Sequence, residues 1–451
     1  MKKLYLAAIL FTVLYSNAQV ISMGFGYSIV LCEDGIPAST GDDFLGALGN
    51  GSAEDSTIYG PVSGDIANIT AVSAGNSFGL YLDNLGRAWG CGRNFYGELG
   101  DGTNINRSIP VLIPGTIGFI AISTGDHHSL LLKGDGTVWS MGRSLAGEIG
   151  YPVTSDIYVP TQIPSLSGVV AISAGHYHSL FLKNDGTVWA CGLNSSGQLA
   201  NGNTVSRTTP FQCNISDVMS IATGTEHSLF VKTDGTAWAA GRNGNGQLGD
   251  NTHTSRKNPV LVNGLAGVAR AFSNNDSDGS YFLMQDGSCM ACGVNVGTIM
   301  GGTATTESQV AIPAGPSNIK EIAISSDEAL FLTNDRVLWA QGNGLSGQLG
   351  NGAYVFLSAL TQINPYCFPL LGLSGLEVAD QQVIYPNPVA DVLHLEGTSD
   401  FLEIVIRTVE GKTVGYYNQP TIGVSNLRSG LYLISWKDSQ NRHFSKKFIK
   451  L

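Results

Sequence analysis

The phrase Trp89-Gly90-Cys91-Gly92-Arg93-Asn94 recurs down the middle of the chain. Trp139, Trp189, Trp238 and Trp339 each stand three residues before a glycine, and Met290 takes the same place before Gly293. With Gly41 at the start, the anchor glycines fall at 41, 92, 142, 192, 241, 293 and 342, in steps of 49 to 52 residues. Five of the six Trp therefore share one position in a unit of about 50 residues that repeats seven times. A fixed period of this length means stacked supersecondary units, each unable to bury its own apolar face alone.

Every unit has the same internal order. An apolar strand such as Val170–Gly175 leads through a short turn to a second strand, Ser179–Lys183. Asp185-Gly186 follows, with Asp34-Gly35, Asp135-Gly136, Asp234-Gly235 and Asp286-Gly287 as its counterparts. Asp-Gly between apolar strands signals a tight hairpin, and a two-residue turn there requires positive φ at both central residues. A third strand runs into a Gly-rich loop, such as Gly241 to Gly249, and a short strand follows a proline, as at Pro259-Val260-Leu261-Val262. Seven four-strand units with hairpins and no helix signal predict an all-β, seven-bladed β-propeller, because radial closure protects strand edges that an open array exposes. An open β-solenoid is the alternative, but these repeats are too long for hexapeptide-type coils. The ring is expected to close by sharing one blade between the two chain ends.

The ends differ from this array. Lys2 and Lys3 precede an apolar run, Leu4 to Tyr15, and Ser16-Asn17-Ala18 precedes Gln19. A basic start, a short apolar stretch and small residues at its end predict a secretory signal peptide over 1–18. No internal run reaches 18 apolar residues, so no helical membrane span is expected. The chain carries a net charge of −11 over 451 residues, and residues 20–378 alone carry −14. That acidity argues against nucleic acid or an anionic membrane as partner. The seven Cys do not fall into a disulfide framework. Cys91, Cys191 and Cys292 precede equivalent glycines and are expected to be small buried apolar residues. Cys289 and Cys292 form a lone C-x-x-C, a weak metal signal without a second pair.

The pattern A-G-x-x-H-S-L-x-L-x-x-D-G-x-V-W-x-x-G-x-N-x-x-G-Q-L-G, clearest at 123–150, 174–199 and 223–249, resembles the repeats of the regulator of chromosome condensation family. The resemblance spans about 350 residues and implies a seven-bladed propeller over 19–367. That family's functions range from nucleotide exchange and light sensing to enzyme inhibition, so the fold alone does not name an activity.

After a linker at 368–378, the segment 379–451 opens with Tyr385-Pro386-Asn387-Pro388 and ends with Lys446-Lys447-Phe448-Ile449-Lys450. With Leu427, Gly430 and Tyr432 between them, these motifs resemble the C-terminal sorting domain of type IX secretion cargo in Bacteroidetes, also called the Por secretion system. The resemblance implies a small C-terminal β-sandwich that engages the secretion machinery through Tyr385, Pro386, Asn387, Pro388, Gly430, Tyr432 and Lys447. A secreted or outer-membrane-surface location follows as an expectation.

Two sets of residues are candidates for a binding face. The first is the turn between the first and second strands, where the residue types vary on a fixed scaffold: Phe25, Asn76, Asp126, His127, His176, Tyr177, Glu226, Asp278 and Asp327. The second is the Gly-rich loops, with Phe44, Phe95, Tyr96, Leu145 and Leu345, which either present apolar groups to a partner or pack between blades. His128, His178 and His227 occupy one repeat position, read as a structural turn residue, because equivalent points on adjacent blades are too far apart to share a zinc ion. Asn275-Asp276-Ser277-Asp278-Gly279 resembles the start of a calcium loop but lacks the final Glu. Neither metal nor cofactor is expected.

No G-x-S-x-G, H-E-x-x-H or P-loop motif occurs. The expected function is that of a secreted, monomeric, non-enzymatic propeller that binds a protein or glycan. A hydrolase or lyase with acidic residues gathered on one propeller face is the rival, and an inhibitor of an exported enzyme a third reading.

Overall fold

The computed structural model describes residues 19–153, 155–164, 166–294, 307–365, 383–385, 389–396, 401–408, 413–438 and 443–450. The predicted signal peptide and linker, Cys367, and Pro386, Asn387 and Pro388 of the sorting motif lie outside them. The chain separates into two compact units at residues 371 and 372.

The first unit holds seven four-stranded antiparallel sheets, each a simple meander of consecutive strands. Blades 1 to 7 cover residues 21–61, 69–112, 119–162, 169–212, 218–261, 268–314 and 319–363. The first strand of every blade packs against the first strands of its two neighbours, and that of blade 7, Ile319–Ile324, meets that of blade 1, Ile21–Gly24. These first strands therefore line the centre of a closed ring. Among the described residues of this unit a single 3-10 turn, Phe44–Gly46, interrupts the β-structure.

Closure differs from the expectation. No blade is shared between chain ends, because all four strands of blade 1 and of blade 7 are contiguous in sequence. The ring closes through side chains instead. Ile21, Met23, Val30 and Tyr59 of blade 1 bury against Ala323, Leu330, Leu332 and Leu349 of blade 7 in one core. The backbone N–H of Val20 donates to the Glu321 carboxylate at 3.1 Å, and the Ser28 hydroxyl donates to the carbonyl of Gln348 at 2.6 Å. Cys32, in the same core, is disulfide-bonded, while Cys91, Cys191, Cys213, Cys289 and Cys292 are buried free thiols.

The Asp-Gly hairpins also differ in detail. Gly136 has φ +80° but Asp135 does not adopt positive φ. Gly136 N–H bonds to the Lys133 carbonyl and Lys133 N–H to that of Thr137, the pattern of a type I turn closed by a glycine bulge. The Asp135 carboxylate accepts from the Thr137 backbone and hydroxyl at 3.0 and 2.6 Å, which holds this longer loop without a second strained residue.

The repeated Trp sit half-buried on the third strands, where Lys133, Lys183 and Lys232 lie over Trp139, Trp189 and Trp238 with the nitrogen 6.0, 4.5 and 5.9 Å from the rings. The Asn that recurs in the loops of blades 2, 4 and 5 is a buried hub. Asn94 accepts from Leu99 N–H at 2.9 Å and donates to Asp101 and to the carbonyls of Thr103 and Ile105, and Asn194 and Asn243 do the same work in blades 4 and 5.

The second unit packs a three-stranded sheet and a four-stranded sheet around Val389, Leu393, Ile404, Ile406, Ile422, Ile434 and Trp436. It is a small β-sandwich. Gly430 opens the long strand Gly430–Asp438, and the Tyr432 hydroxyl donates to the Arg428 carbonyl at 2.9 Å. Tyr385 lies in the strand Val383–Tyr385 and Lys447 in the last strand, His443–Lys450.

Candidate functional site

The histidines of the propeller turns fall into two sets with opposite fates. His128, His178 and His227 are buried, and each Nε2 reaches a serine hydroxyl in the next blade, Ser179, Ser228 and Ser280, at 2.8, 3.0 and 2.9 Å. Each of those hydroxyls donates to a loop carbonyl of the histidine's own blade, Glu148, Gln198 or Gln247, at 2.7 Å. The serine proton is thereby committed, so the histidine must donate from Nε2, and its buried Nδ1, without a partner, carries no proton. Burial holds His128 and His178 down at about 3 and His227 at about 4. These three residues bolt blade to blade from the first position of the second strand, and among the described residues no group of three or more His, Cys, Asp and Glu could hold a metal ion. The ring of His128 also explains the preceding glycine. A Cβ on Gly125 would lie 2.5 Å from His128 Cε1 and 2.5 Å from the Gly175 carbonyl of the next blade.

The residues just before these bolts lie at one end of the ring. The Gly-rich loops lie at the same end, because the third strand returns antiparallel to the second and its last glycine pairs with the bolt residue, as Gly142 does with His128. Backbone bonds tie the two together: Arg93, Arg143, Leu193 and Arg242 N–H donate to the carbonyls of Ser77, His127, Tyr177 and Glu226. The two candidate surfaces are therefore one face, and the loops of blades 2, 4 and 5 also reach the turn of the next blade, through Arg93 to His127, Ser196 to Glu226 and Asn245 to Asp278.

On blades 2 to 4 this face is a dense polar and aromatic cluster. Asp126 is buried, and its carboxylate receives Nε2 of His127 at 3.1 Å, Nε2 of His176 at 2.8 Å and the amide of Asn76 at 2.5 Å. Burial alone would raise its pKa, but the His176 hydrogen bond, the electrostatic attraction of the two imidazoles that point their Nε2 at it and the Asn76 amide outweigh it and hold the carboxyl below its ordinary range. Arg93, from the blade 2 loop, donates to Nδ1 of His127 and pairs with Glu98 at 3.1 Å. His127 accepts at Nδ1 and donates at Nε2, so it is neutral, and burial, with Arg93 and Arg143 nearby, takes it down to about 4. His176 stacks on Tyr177 with ring centroids 3.9 Å apart, and His127 leans on Tyr96 at 5.0 Å. The Arg143 guanidinium lies 5.5 Å from the Tyr96 ring and 5.0 Å from that of Tyr177.

On blades 5 to 7 the face is acidic, with each carboxylate engaged separately. Glu226 accepts from the Ser196 hydroxyl at 2.6 Å. Asp278 meets Arg242 at 3.3 Å and the Asn245 amide at 2.8 Å. Asp327 accepts from Ser326 at 2.7 Å and from the Asn343 amide at 3.3 Å. The blade 6 turn is longer than its counterparts, since Val268 to Gly279 exceeds Val218 to His227 by two residues. Its Asn274 amide bonds to the Met23 carbonyl of blade 1, across the position of blade 7. Asp276 stands beside it, and burial, with the nearby Asp126 charge, pushes its carboxyl up to about 6. This turn caps the central mouth of the face. The segment 275–279 is thus a lengthened turn of the repeat, consistent with its reading as a poor calcium loop.

Apolar residues ring the same face at the loop tips. Phe44, Phe95, Leu145 and Leu345 are 58%, 52%, 77% and 64% exposed, so they do not pack between blades. Phe25 is exposed as well and takes no part in the histidine cluster. Asn76, Asp126, His127, His176, Tyr177 and Tyr96 come together. Glu226, Asp278 and Asp327 lie apart from that cluster, each with its own partner. The sequence reading missed Arg93 and Arg143. The available signal was an Arg directly after the anchor glycine with a Glu five residues on, a pairing found only at 93/98 and 143/148.

Residues 10–314 match the RCC1-like domain family, and residues 383–451 match the secretion system C-terminal sorting domain. Human WBSCR16 is similar in structure, with a TM-score of 0.65 at 23% identity, over 72% of this chain and 92% of that one. Yeast RCC1 (Prp20), in its crystal structure with Kap60, gives a TM-score of 0.63 at 20% identity, over 76% of this chain and 84% of that one. Prp20p from Saccharomyces cerevisiae, in a second structure, gives 0.63 at 21% identity, over 76% and 87%. No curated protein matches the chain. No helix among the described residues is long and apolar enough to cross a membrane. The chain belongs to the RCC1-like domain family, and its sorting tail marks this propeller for export by type IX secretion to the cell surface or the extracellular space.

Proposed function

We propose that the exported propeller is a binding module for a protein, and that the face built from the turns and Gly-rich loops is where the partner sits. One observation carries this reading: both candidate sets converge on a single face, where an Arg, His and Tyr cluster, an acidic half and exposed apolar loop tips lie side by side. Apolar anchors with aromatic and Arg side chains inside a polar rim are the usual composition of a protein interface. The separation of charge across the face suits a polypeptide carrying both signs better than a neutral glycan. Yeast Prp20p, of the same fold, binds Gsp1p and histones, which supports a protein partner for a propeller of this kind.

The hydrolase reading calls for two carboxylates flanking a common space. Here Asp126, Glu226, Asp278 and Asp327 are each engaged by a different partner, and Glu328, whose carboxyl lies against Asp327, is buried.

The full chain, immobilised and exposed to envelope and medium extracts and to glycan arrays, tests the proposal. Saturable capture of a protein, lost in Tyr177→Ala and Phe95→Ala variants of unchanged thermal stability, is the expected result. Capture of glycan instead, or turnover of a polysaccharide in the same extracts, would overturn it.

A further inference from the structure

Blades 2 and 3 carry the same Arg and Glu at equivalent positions and use them differently. In blade 2, Arg93 turns inward and its Nε meets Glu98 at 3.1 Å. In blade 3, Arg143 makes no ion pair and no side-chain hydrogen bond with any described residue. Its guanidinium lies between two tyrosine rings, Tyr96 from the blade 2 loop and Tyr177 from the blade 4 turn. Glu148, the counterpart of Glu98, is fully buried and accepts from Ala146 N–H at 2.7 Å through one oxygen, while Oε1 has no partner. The arginine that could satisfy that oxygen stands on the face instead.

A guanidinium stacked on aromatic faces keeps its in-plane N–H groups free, and their fork matches the two oxygens of a carboxylate. The charges around Arg143 leave that fork unused from within. Asp126 is taken up by His127, His176 and Asn76, and Glu98 by Arg93. The other arginines of this face are paired, Arg93 with Glu98 and Arg242 with Asp278. We infer that Arg143, clamped by Tyr96 and Tyr177, is a carboxylate-recognition site on the binding face, and that its ligand is an acidic group of the protein partner, an Asp or Glu side chain or a C-terminal carboxylate. The inference rests on the protein-binding reading above. Tyr96 and Tyr177 set the position of the fork, and Glu148 is the internal carboxylate that would compete for it. The acidic half of the face, blades 5 to 7, would repel a densely anionic chain. That favours a single carboxylate in a mixed-charge polypeptide over an acidic polysaccharide.

The full chain would be assayed on arrays of short synthetic peptides of two kinds. One kind carries a single internal Asp or Glu and an amidated C-terminus; the other has no acidic residue and a free C-terminal carboxylate. Binding to one kind, absent when the carboxylate is replaced by an amide, is expected and identifies the source. Arg143→Gln should weaken it about tenfold or more, the loss of one charge-assisted pair. Arg143→Lys keeps the charge but loses the planar fork and its stacking, and should fall between the two. It carries the test if Arg143→Gln does not fold. Glu148→Gln should bind as tightly as the parent or more so. Wild-type protein that binds neither kind, binding indifferent to the carboxylate, or full affinity in Arg143→Gln would each overturn the inference. The same variant distinguishes the two readings in the extract experiment. A captured protein retained by Arg143→Gln but lost by Tyr177→Ala leaves the binding face standing and removes Arg143 from it. No captured protein at all removes the face.

Discussion

The junctions between blades 3 and 6 and the junction between blades 7 and 1 solve one problem by different chemistry. Each must hold two neighbouring sheets at a fixed angle. Inside the array a buried neutral histidine donates to a serine of the next blade, and that serine donates back to a loop carbonyl. At the seam the serine survives, since Ser28 still donates to Gln348, but no histidine faces it. Glu328 stands in the histidine's place, Ser28 turns to the Tyr59 hydroxyl at 2.7 Å, and the buried Glu321 accepts the first backbone N–H of the ring, that of Val20. Repetition supplies the same bolt at the three junctions from blade 3 to blade 6, while Tyr27, Phe78 and Gly279 hold that position in blades 1, 2 and 6. The one junction between distant segments needs its own residues, and it recruits buried carboxylates where the interior uses neutral imidazoles.

The strongest way to break the comparison is Gly125→Ala. Its new Cβ would meet the His128 ring and the Gly175 carbonyl of the following blade at once, and neither a packed ring nor a backbone carbonyl can yield cheaply. A loss of about 3 kcal/mol or more is expected, or failure to fold, read by denaturant melts. His178→Ala comes next. It deletes a buried ring and takes from the Ser228 oxygen its histidine donor, for about 2–4 kcal/mol. If it costs no more than a surface substitution, the bolt is not what holds blades 4 and 5 together.

Acidity separates the two regions by sign. His178 is held at about 3, below its ordinary value near 6.5, so its contribution is complete above that pH and declines as pH falls toward about 3. Burial raises Glu321 to about 7, above its ordinary 4.5, so its contribution is complete below about 4.5 and is lost as pH rises through about 7. Melting temperatures of the parent and His178→Gln should diverge with pH between about 6.5 and 3. Those of the parent and Glu321→Gln should diverge between about 4.5 and 7, with the variant gaining on the parent at the alkaline end. Matching pH profiles for the two variants would dissolve the distinction. The smallest effect belongs to the Arg336–Glu33 ion pair, which joins the same two blades on the outside. Glu33 is mostly exposed, so Glu33→Gln should change stability by no more than about 0.5 kcal/mol in a thermal melt.

Much of this was legible in the residues. Trp and Gly at a fixed period gave the number of blades, and the order of strands within each unit gave the meander. The same repeat misled at the seam, where it suggested a shared blade, because period alone carries no information on where the first strand begins relative to its sheet. It also misjudged the hairpins, since Asp-Gly fits both a two-residue turn and a glycine bulge, and the Asp135 bonds to Thr137 favour the longer loop. The candidate turn residues were found by their variability. Their separation from the Gly-rich loops as two surfaces was an error of topology, corrected once Gly142 pairs with His128.

His127 and His128 mark the boundary between what the chain states and what the fold decides. Their types and repeat positions are plain in the sequence, as are the seven units, the sorting tail and the acidity of the propeller. Alternation along a strand sends one ring into the core and leaves its neighbour in the turn, but the partners of both come from other blades: Ser179 about 50 residues ahead, Arg93 and Tyr96 about 30 behind. Only the packing of successive blades brings those segments within hydrogen-bonding distance. The same packing leaves Arg143 between Tyr96 and Tyr177, from the blades on either side, while Arg93, its twin in sequence, is paired with Glu98.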